Sequence, residues 1–172
     1  GAMSDWSAIY LAERFPNLAV DAGLGVSVYA GFLAFGRFTG DTLQAVFGPV
    51  RLARIALAVA VTGLLILAVP SPMPAAFVAF ALVGLGVSVG FPLAVTAAAR
   101  IDPQMDGPYI AAMSLFGSIG FLIGPPLIGT LADAATLSVG MAALVPGLVL
   151  SAVLARALAQ GAGARQADDH SP

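Results

Sequence analysis

"GRFTGDTLQAVFGPVRLAR", residues 36–54, holds Arg37, Arg51 and Arg54, three of the seven basic residues of the chain, between two long apolar runs. The rest of the sequence decides what such a cluster means. Of 172 residues, 59% are hydrophobic and 9% are charged, and the mean hydropathy is +0.97. Soluble domains carry about 25% charged residues. Seven basic and nine acidic side chains are too few to cover a water-soluble globule of this length. The arginines therefore punctuate a chain built for lipid, and the runs on either side are candidate membrane spans.

Residues 22–36 carry no charge, and Asp21 and Arg37 flank them where they can reach the interface. Residues 55–99 form a second charge-free run. Pro70, Pro72 and Pro74 divide it, because proline removes a helix hydrogen bond and clashes with the preceding turn. One span is expected to end near Val69 and another to cover 75–99, with further spans over 107–132 and 134–155. A hydrocarbon core takes about 20 residues of helix, and helices satisfy their own backbone groups in lipid. Residues 1–11 are too short to cross and are expected to be the outer part of a truncated helix. They lack the basic start of a secretory leader. The expected fold is an all-α membrane protein of about five full transmembrane helices plus the outer part of a sixth. Residues 1–158 form the bundle, and residues 159–172 are a disordered cytoplasmic tail.

Orientation follows from the arginines. Arg37, Arg51 and Arg54 mark one junction, Arg100 the next but one, and Arg156 and Arg165 the end. The intervening junctions, around Pro70–Pro74 and Asp133, carry no basic residue. Basic loops stay on the cytoplasmic side. This predicts a multi-pass protein of the cell (inner) membrane with its C-terminus in the cytoplasm.

Composition also excludes function classes. With a net charge of −2 and no long basic stretch, no nucleic-acid partner is expected. There is no cysteine, and the single histidine, His170, lies in the polar tail. No metal site, cofactor or nucleophile–base pair is expected, and so no enzyme.

Within residues 36–54, Gly36 and Gly40 lie four apart on one helical face and admit close backbone approach. Asp41 is expected at the helix end, where a carboxylate can meet the start of a neighbouring helix or an arginine. Gly48 and Pro49 read as the turn, and Arg51 opens the next span. These residues resemble the cytoplasmic signature loop of the major facilitator superfamily, in the copy that joins transmembrane helices eight and nine. Thr42 stands where a basic residue usually follows the aspartate, and Val46 where an arginine is common before the turn. "GAMSDWSAIYL" resembles the outer part of helix seven in a bacterial branch related to the fucose-permease group. "GSIGFLIGPPLIGTLAD", with Gly117, Gly120, Gly124, Pro125 and Gly129, resembles helix eleven.

The resemblance implies the C-terminal half of a twelve-helix bundle that works by alternating access. Its partners would be membrane lipid, a missing N-terminal half and an unknown small solute moved with protons. It makes residues 75–99 helix ten, a cavity-lining element in which Gly86 and Gly90 pack closely and Pro92 bends the helix. It places the uniformly apolar helices nine and twelve outside. Gly36, Gly40, Asp41, Gly48 and Arg51 would act as gate and packing elements, and Gly120, Gly124 and Pro125 as packing elements.

Four side chains are candidates for solute or proton binding: Asp5, Trp6, Tyr10 and Tyr29. A carboxylate inside a membrane is costly and usually faces a cavity or a partner. Asp5 would exchange a proton or hold a solute hydroxyl, unless it simply sits wet near the outer end of its helix. Trp6 and Tyr10, one turn apart, suit stacking on a sugar ring or another flat ligand, or else anchoring at the interface. Tyr29 offers a hydroxyl mid-span, to the cavity or to a neighbouring helix. Ser88, Thr96 and Ser114 read as interhelical hydrogen-bonders. The expected function is proton-coupled transport of a sugar-like solute. A drug or metabolite exporter is the alternative within transport, and a non-transporting structural or sensor protein the alternative outside it.

Overall fold

Every regular element of the computed structural model is an α-helix among the residues it describes, 2–16, 23–99 and 106–155. The expected tail, and Arg100, Arg156 and Arg165, lie outside those residues. The helices are α1 (Ala2–Arg14), α2 (Gly23–Phe47), α3 (Pro49–Ala68), α4 (Met73–Ser88), α5 (Gly90–Ala99), α6 (Asp106–Ala134), α7 (Leu137–Ala142) and α8 (Val145–Leu154). Among the described residues four stretches are long and apolar enough to cross a membrane: Pro49–Ala68, Met73–Thr96, Ile110–Ala134 and Leu137–Leu154. At 25 residues α2 is also long enough, but Arg37 and Asp41 lie within it.

Proline sets the breaks. The helix stops over Val69–Pro72, where the proline cluster predicts a stop. Two spans are each built from two helices, and both breaks fall one turn before a proline. Pro92 has no N–H for the Ser88 carbonyl, and its ring crowds that carbonyl. So α4 ends at Ser88, Val89 forms a turn, and α5 begins at Gly90. Pro146 does the same to α7, which ends at Ala142. By contrast, α6 runs through Pro125 and Pro126 without interruption.

The turn between α2 and α3 falls on Gly48, whose φ of 74° is strained for any residue with a Cβ. Pro49 then opens α3 with a preset φ. The signature stretch itself is helical, which corrects one expectation. Arg37 and Asp41 are not at a helix end: α2 continues to Phe47, so Asp41 stands seven residues before the turn.

The centre of the bundle is α4, which packs most extensively on α2 and α3. Two glycines make this possible. A Cβ at Gly84 would lie 2.5 Å from the Tyr29 carbonyl oxygen of α2. A Cβ at Gly86 would overlap the Ala56 carbonyl and Ala60 of α3. Two residues apart on a helix means nearly opposite faces. Gly84 and Gly86 thus bring α4 into backbone contact with both neighbours at once. Across the same seam, Gly63 of α3 faces the Ala79 carbonyl, to which a Cβ would come within 2.7 Å.

Two buried clusters mark the two ends. One joins Tyr10, Leu67, Ala76, Phe80, Leu137 and Met141. The other joins Leu52, Ala56, Val89 and Leu93. The start of α3 therefore lies with α5, and its end with the start of α4 and with α7, which is the zigzag that spanning helices require. Arg51, Arg54 and the Gly48 turn share one end, and the Val69–Pro72 and Ala135–Thr136 connections share the other.

Candidate functional site

The first candidate region is one turn of α1. Met3, Ser7, Tyr10 and Leu11 are buried along a single stripe, while Asp5 is exposed and Trp6 half-buried. The stripe seats α1 against α2 and also touches α6. Leu11 approaches Gly25 of α2, where a Cβ would lie 2.9 Å from its Cδ1. The Trp6 ring lies over Gly129 of α6, and a Cβ there would meet the ring at 3.1 and 3.3 Å. Gly129 thus provides the flat seat for the indole.

Polar atoms in this turn differ in how they are satisfied. The Tyr10 hydroxyl is buried and donates to the Leu67 carbonyl oxygen at 3.1 Å. Leu67 lies in the last turn of α3, whose terminal carbonyls have no partner in their own helix. Tyr10 therefore ties α1 to the end of α3, and its ring meets Phe80 edge-on at 6.0 Å. This is a packing role, separate from the ligand-stacking pair expected with Trp6. Earlier in the helix, the Ser7 hydroxyl and the Trp6 Nε1 are enclosed and have no hydrogen-bond partner among the described residues. An unpaired buried donor costs about 1–3 kcal/mol. Asp5 precedes this pair in the chain but is exposed, and two residues along a helix it faces nearly opposite to Ser7. The three residues lie roughly 5–8 Å along the helix from Tyr10.

Ser7 is the residue that sequence reading missed. Its signal was available: it falls on the apolar stripe defined by Met3, Tyr10 and Leu11, where a serine must find a partner or stay unpaired.

Tyr29 is buried with its backbone against Gly84. This places it at the α2–α4 seam, one helical turn beyond Gly25, where a Cβ would lie 3.4 Å from the Ser7 carbonyl oxygen, and in the same buried cluster as Met3, Tyr10 and Leu11. Ser88 and Thr96 do not bond across helices as expected. The Ser88 hydroxyl donates to the Leu85 carbonyl at 2.7 Å and that of Thr96 to the Pro92 carbonyl at 2.9 Å, each within its own span.

The second region is the signature stretch. Gly36 lies directly against Ser88, so that a Cβ would overlap the Ser88 hydroxyl and come 2.7 Å from its Cβ. A Cβ at Gly40 would lie 3.1 Å from Val89. The two glycines of α2 thus seat the break between α4 and α5. Asp41 is exposed and lines a shallow hollow of about 350 Å³ with Gln44, Ala45 and Pro49. Among the described residues it forms no ion pair, and Arg51 is exposed on the far side of the turn.

Other expected packing positions come out differently. Gly86 packs as described, but Gly90, Gly120 and Gly124 have nothing within 4 Å of a Cβ position. Pro125 is half-buried. Through most of its length α6 turns large apolar side chains outward, with Phe116 71% and Leu122 75% exposed.

Comparison with known proteins agrees with the helical architecture. The chain matches the Major Facilitator Superfamily over residues 6–169. The chain belongs to this superfamily. It is 33% identical over 162 residues to a protein of Sinorhizobium fredii named "Uncharacterized transporter y4wD", covering 93% of this chain and 42% of that protein. It is 31% identical over 159 residues to an "Uncharacterized MFS-type transporter" of Yersinia pestis, covering 92% of this chain and 41% of the relative. It is also 30% identical over 135 residues to "Membrane protein MosC" of Rhizobium meliloti, with 78% and 33% covered. No solved structure matches significantly. The chain thus spans about two-fifths of the length of the first two relatives.

Proposed function

We propose that this chain is the C-terminal six-helix half of a secondary transporter. It moves a small solute across the inner membrane by alternating access, and Asp5 couples that movement to protons. The observation that carries the reading is the pair of enclosed, unpaired polar groups on Trp6 and Ser7, next in the chain to Asp5, in a member of a superfamily whose relatives are named as transporters. A carboxylate that faces a membrane cavity can change protonation as the site opens to either side, which is how such a group couples two fluxes. The share of each relative that the chain covers supports an N-terminal half as the partner that completes the cavity. The arginine-bearing end, with Arg51 and Arg54, faces the cytoplasm in this reading, and so does the C-terminus.

The indole of Trp6 and the carboxylate of Asp5 suit a hydroxyl-rich, sugar-like solute, in keeping with the resemblance to the fucose-permease branch. The signature stretch acts as a hinge mount, since Gly36 and Gly40 hold the α4–α5 break.

The test is transport by the full-length polypeptide in proteoliposomes, with a panel of labelled sugars and drug-like amines under an imposed pH gradient. The expected result is gradient-driven accumulation of a sugar. Asp5→Asn abolishes it while leaving gradient-free exchange of the same solute. Unchanged pH-driven accumulation in Asp5→Asn removes Asp5 from coupling. Amine efflux without sugar uptake makes the protein an exporter.

A further inference from the structure

We propose that the groove between α3 and α8 binds an anionic phospholipid, with the phosphate on Arg54 and an acyl chain along the walls below it. The inference rests on α3 and α8 spanning the membrane with this side toward lipid.

The groove has a volume of about 500 Å³. Its α3 wall is formed by Arg54, Leu57, Ala58 and Val61, which share one face at spacings of three and four. Leu148 and Ala152 lead the opposite wall on α8. Among the described residues Arg54 is the single charged one of the lining, and no carboxylate is part of it. Among the described residues Arg54 forms no ion pair, although it is half-buried.

Depth fits a headgroup. Arg54 stands five residues into α3, roughly 7 Å along the axis from Pro49, and its stem can carry the guanidinium up to phosphate level. From Arg54 to Val61 the apolar wall descends roughly 10 Å further. The early part of α3 faces α8 while Leu64 and Leu67 join α7 residues in the core, so the groove opens toward the arginine-bearing end. By the distribution of arginines this is the cytoplasmic side, where anionic lipids attract basic residues and basic pockets between helices bind their headgroups. The shape selects a molecule with one anionic end and a long apolar remainder. Inorganic phosphate would satisfy Arg54 but leave the wall unused. Another protein helix would cover the wall and bury Arg54 without a counter-charge.

The experiment is native mass spectrometry of the purified full-length protein in detergent, titrated with dioleoylphosphatidylglycerol, dioleoylphosphatidylcholine or inorganic phosphate. The wild type should retain the glycerol lipid in preference to the choline lipid by about fivefold, the factor one basic residue contributes near an anionic surface. Arg54→Gln should remove that preference, and Arg54→Lys should keep most of it. Ala58→Phe, which fills the groove, should weaken both lipids. Arg51→Gln, outside the lining, should lower the preference less than Arg54→Gln does. The proposal is overturned by an undiminished preference in Arg54→Gln, by an equal loss in Arg51→Gln, or by phosphate binding as tightly as the lipid. Disulfide capture of two copies through Ala58→Cys in native membranes would assign the groove to a second copy instead. If Arg54→Gln does not fold, Arg54→Lys and Ala58→Phe still decide between lipid and no lipid. The readout needs no transport, so a protein that transports without lipid preference fails only here, and one that binds lipid without transporting fails only the transporter reading.

Discussion

Replacing Gly36 with alanine tests whether the signature glycines seat the α4–α5 break. The new methyl group would overlap the Ser88 hydroxyl and stand 2.7 Å from the Ser88 Cβ, whereas carbon atoms pack best at about 3.5–4.0 Å. The hydroxyl can rotate only by giving up its 2.7 Å bond to the Leu85 carbonyl, and the Cβ cannot rotate at all. Either α2 and α4 part by about 1 Å, or the break at Val89 shifts. Overpacking of this kind costs about 1–3 kcal/mol. The upper part of that range applies, because α2–α4 is one of the two most extensive seams of the bundle. Repulsion between overlapping atoms is the same in lipid as in water. Gly31 of the same helix provides the control: a Cβ there has nothing within 4 Å. Gly31→Ala should therefore stabilise α2 by up to about 1 kcal/mol through helix propensity alone. The two changes are chemically identical, lie five residues apart and are expected to have opposite signs. The measurement is equilibrium unfolding of the full-length protein in mixed micelles with increasing dodecyl sulfate. Adding Ser88→Gly to Gly36→Ala should recover at least about 1 kcal/mol relative to the sum of the single changes, a coupling typical of residues in contact. If Gly36→Ala is no less stable than Gly31→Ala, or the two substitutions at the contact add independently, the close approach of α2 to the break is wrong.

Two further outcomes follow from the α1 turn. Tyr10→Phe should cost about 1 kcal/mol, the net worth of a hydrogen bond, while solute affinity of the folded protein stays at the wild-type value. A tenfold loss of affinity at unchanged stability would return Tyr10 to the solute site. Gly129→Val should push the Trp6 ring off its seat and destabilise the protein by about 1–3 kcal/mol. Trp6 is the single tryptophan of this sequence; its emission should move to the red, and unchanged emission would show that the ring does not rest on Gly129.

How legible a residue was in the sequence depended on whether its role is local. Gly48 and Pro49 announced the α2–α3 turn because a positive φ and a preset φ are properties of those two residues alone. The proline cluster and Pro92 placed breaks for the same kind of reason. Asp41 was misplaced at a helix end because charge density resembles a loop in an oily sequence, and a helix that extends beyond the apolar run gives no separate signal. The site was less legible. Trp6 and Tyr10 are one turn apart and looked like a pair. One rests on Gly129, and the other bonds the end of α3, because each meets a different neighbour. Ser88 looked like a bridge between helices and bonds its own span.

By itself the sequence determined the solvent, the helical class and the punctuation of the spans. Charge density, apolar run length and proline position act through the free energy of each segment in lipid, without reference to any partner. The tertiary structure alone decided which small residues matter. Gly84 and Gly86 lie where another backbone arrives and Gly36 where the Ser88 side chain does, while Gly90, Gly120 and Gly124, equally glycine, meet nothing within 4 Å among the described residues. It also decided that Tyr10 is satisfied and Ser7 is not. Close approach and hydrogen-bond pairing are relations between segments far apart in the chain, and only packing brings those segments together.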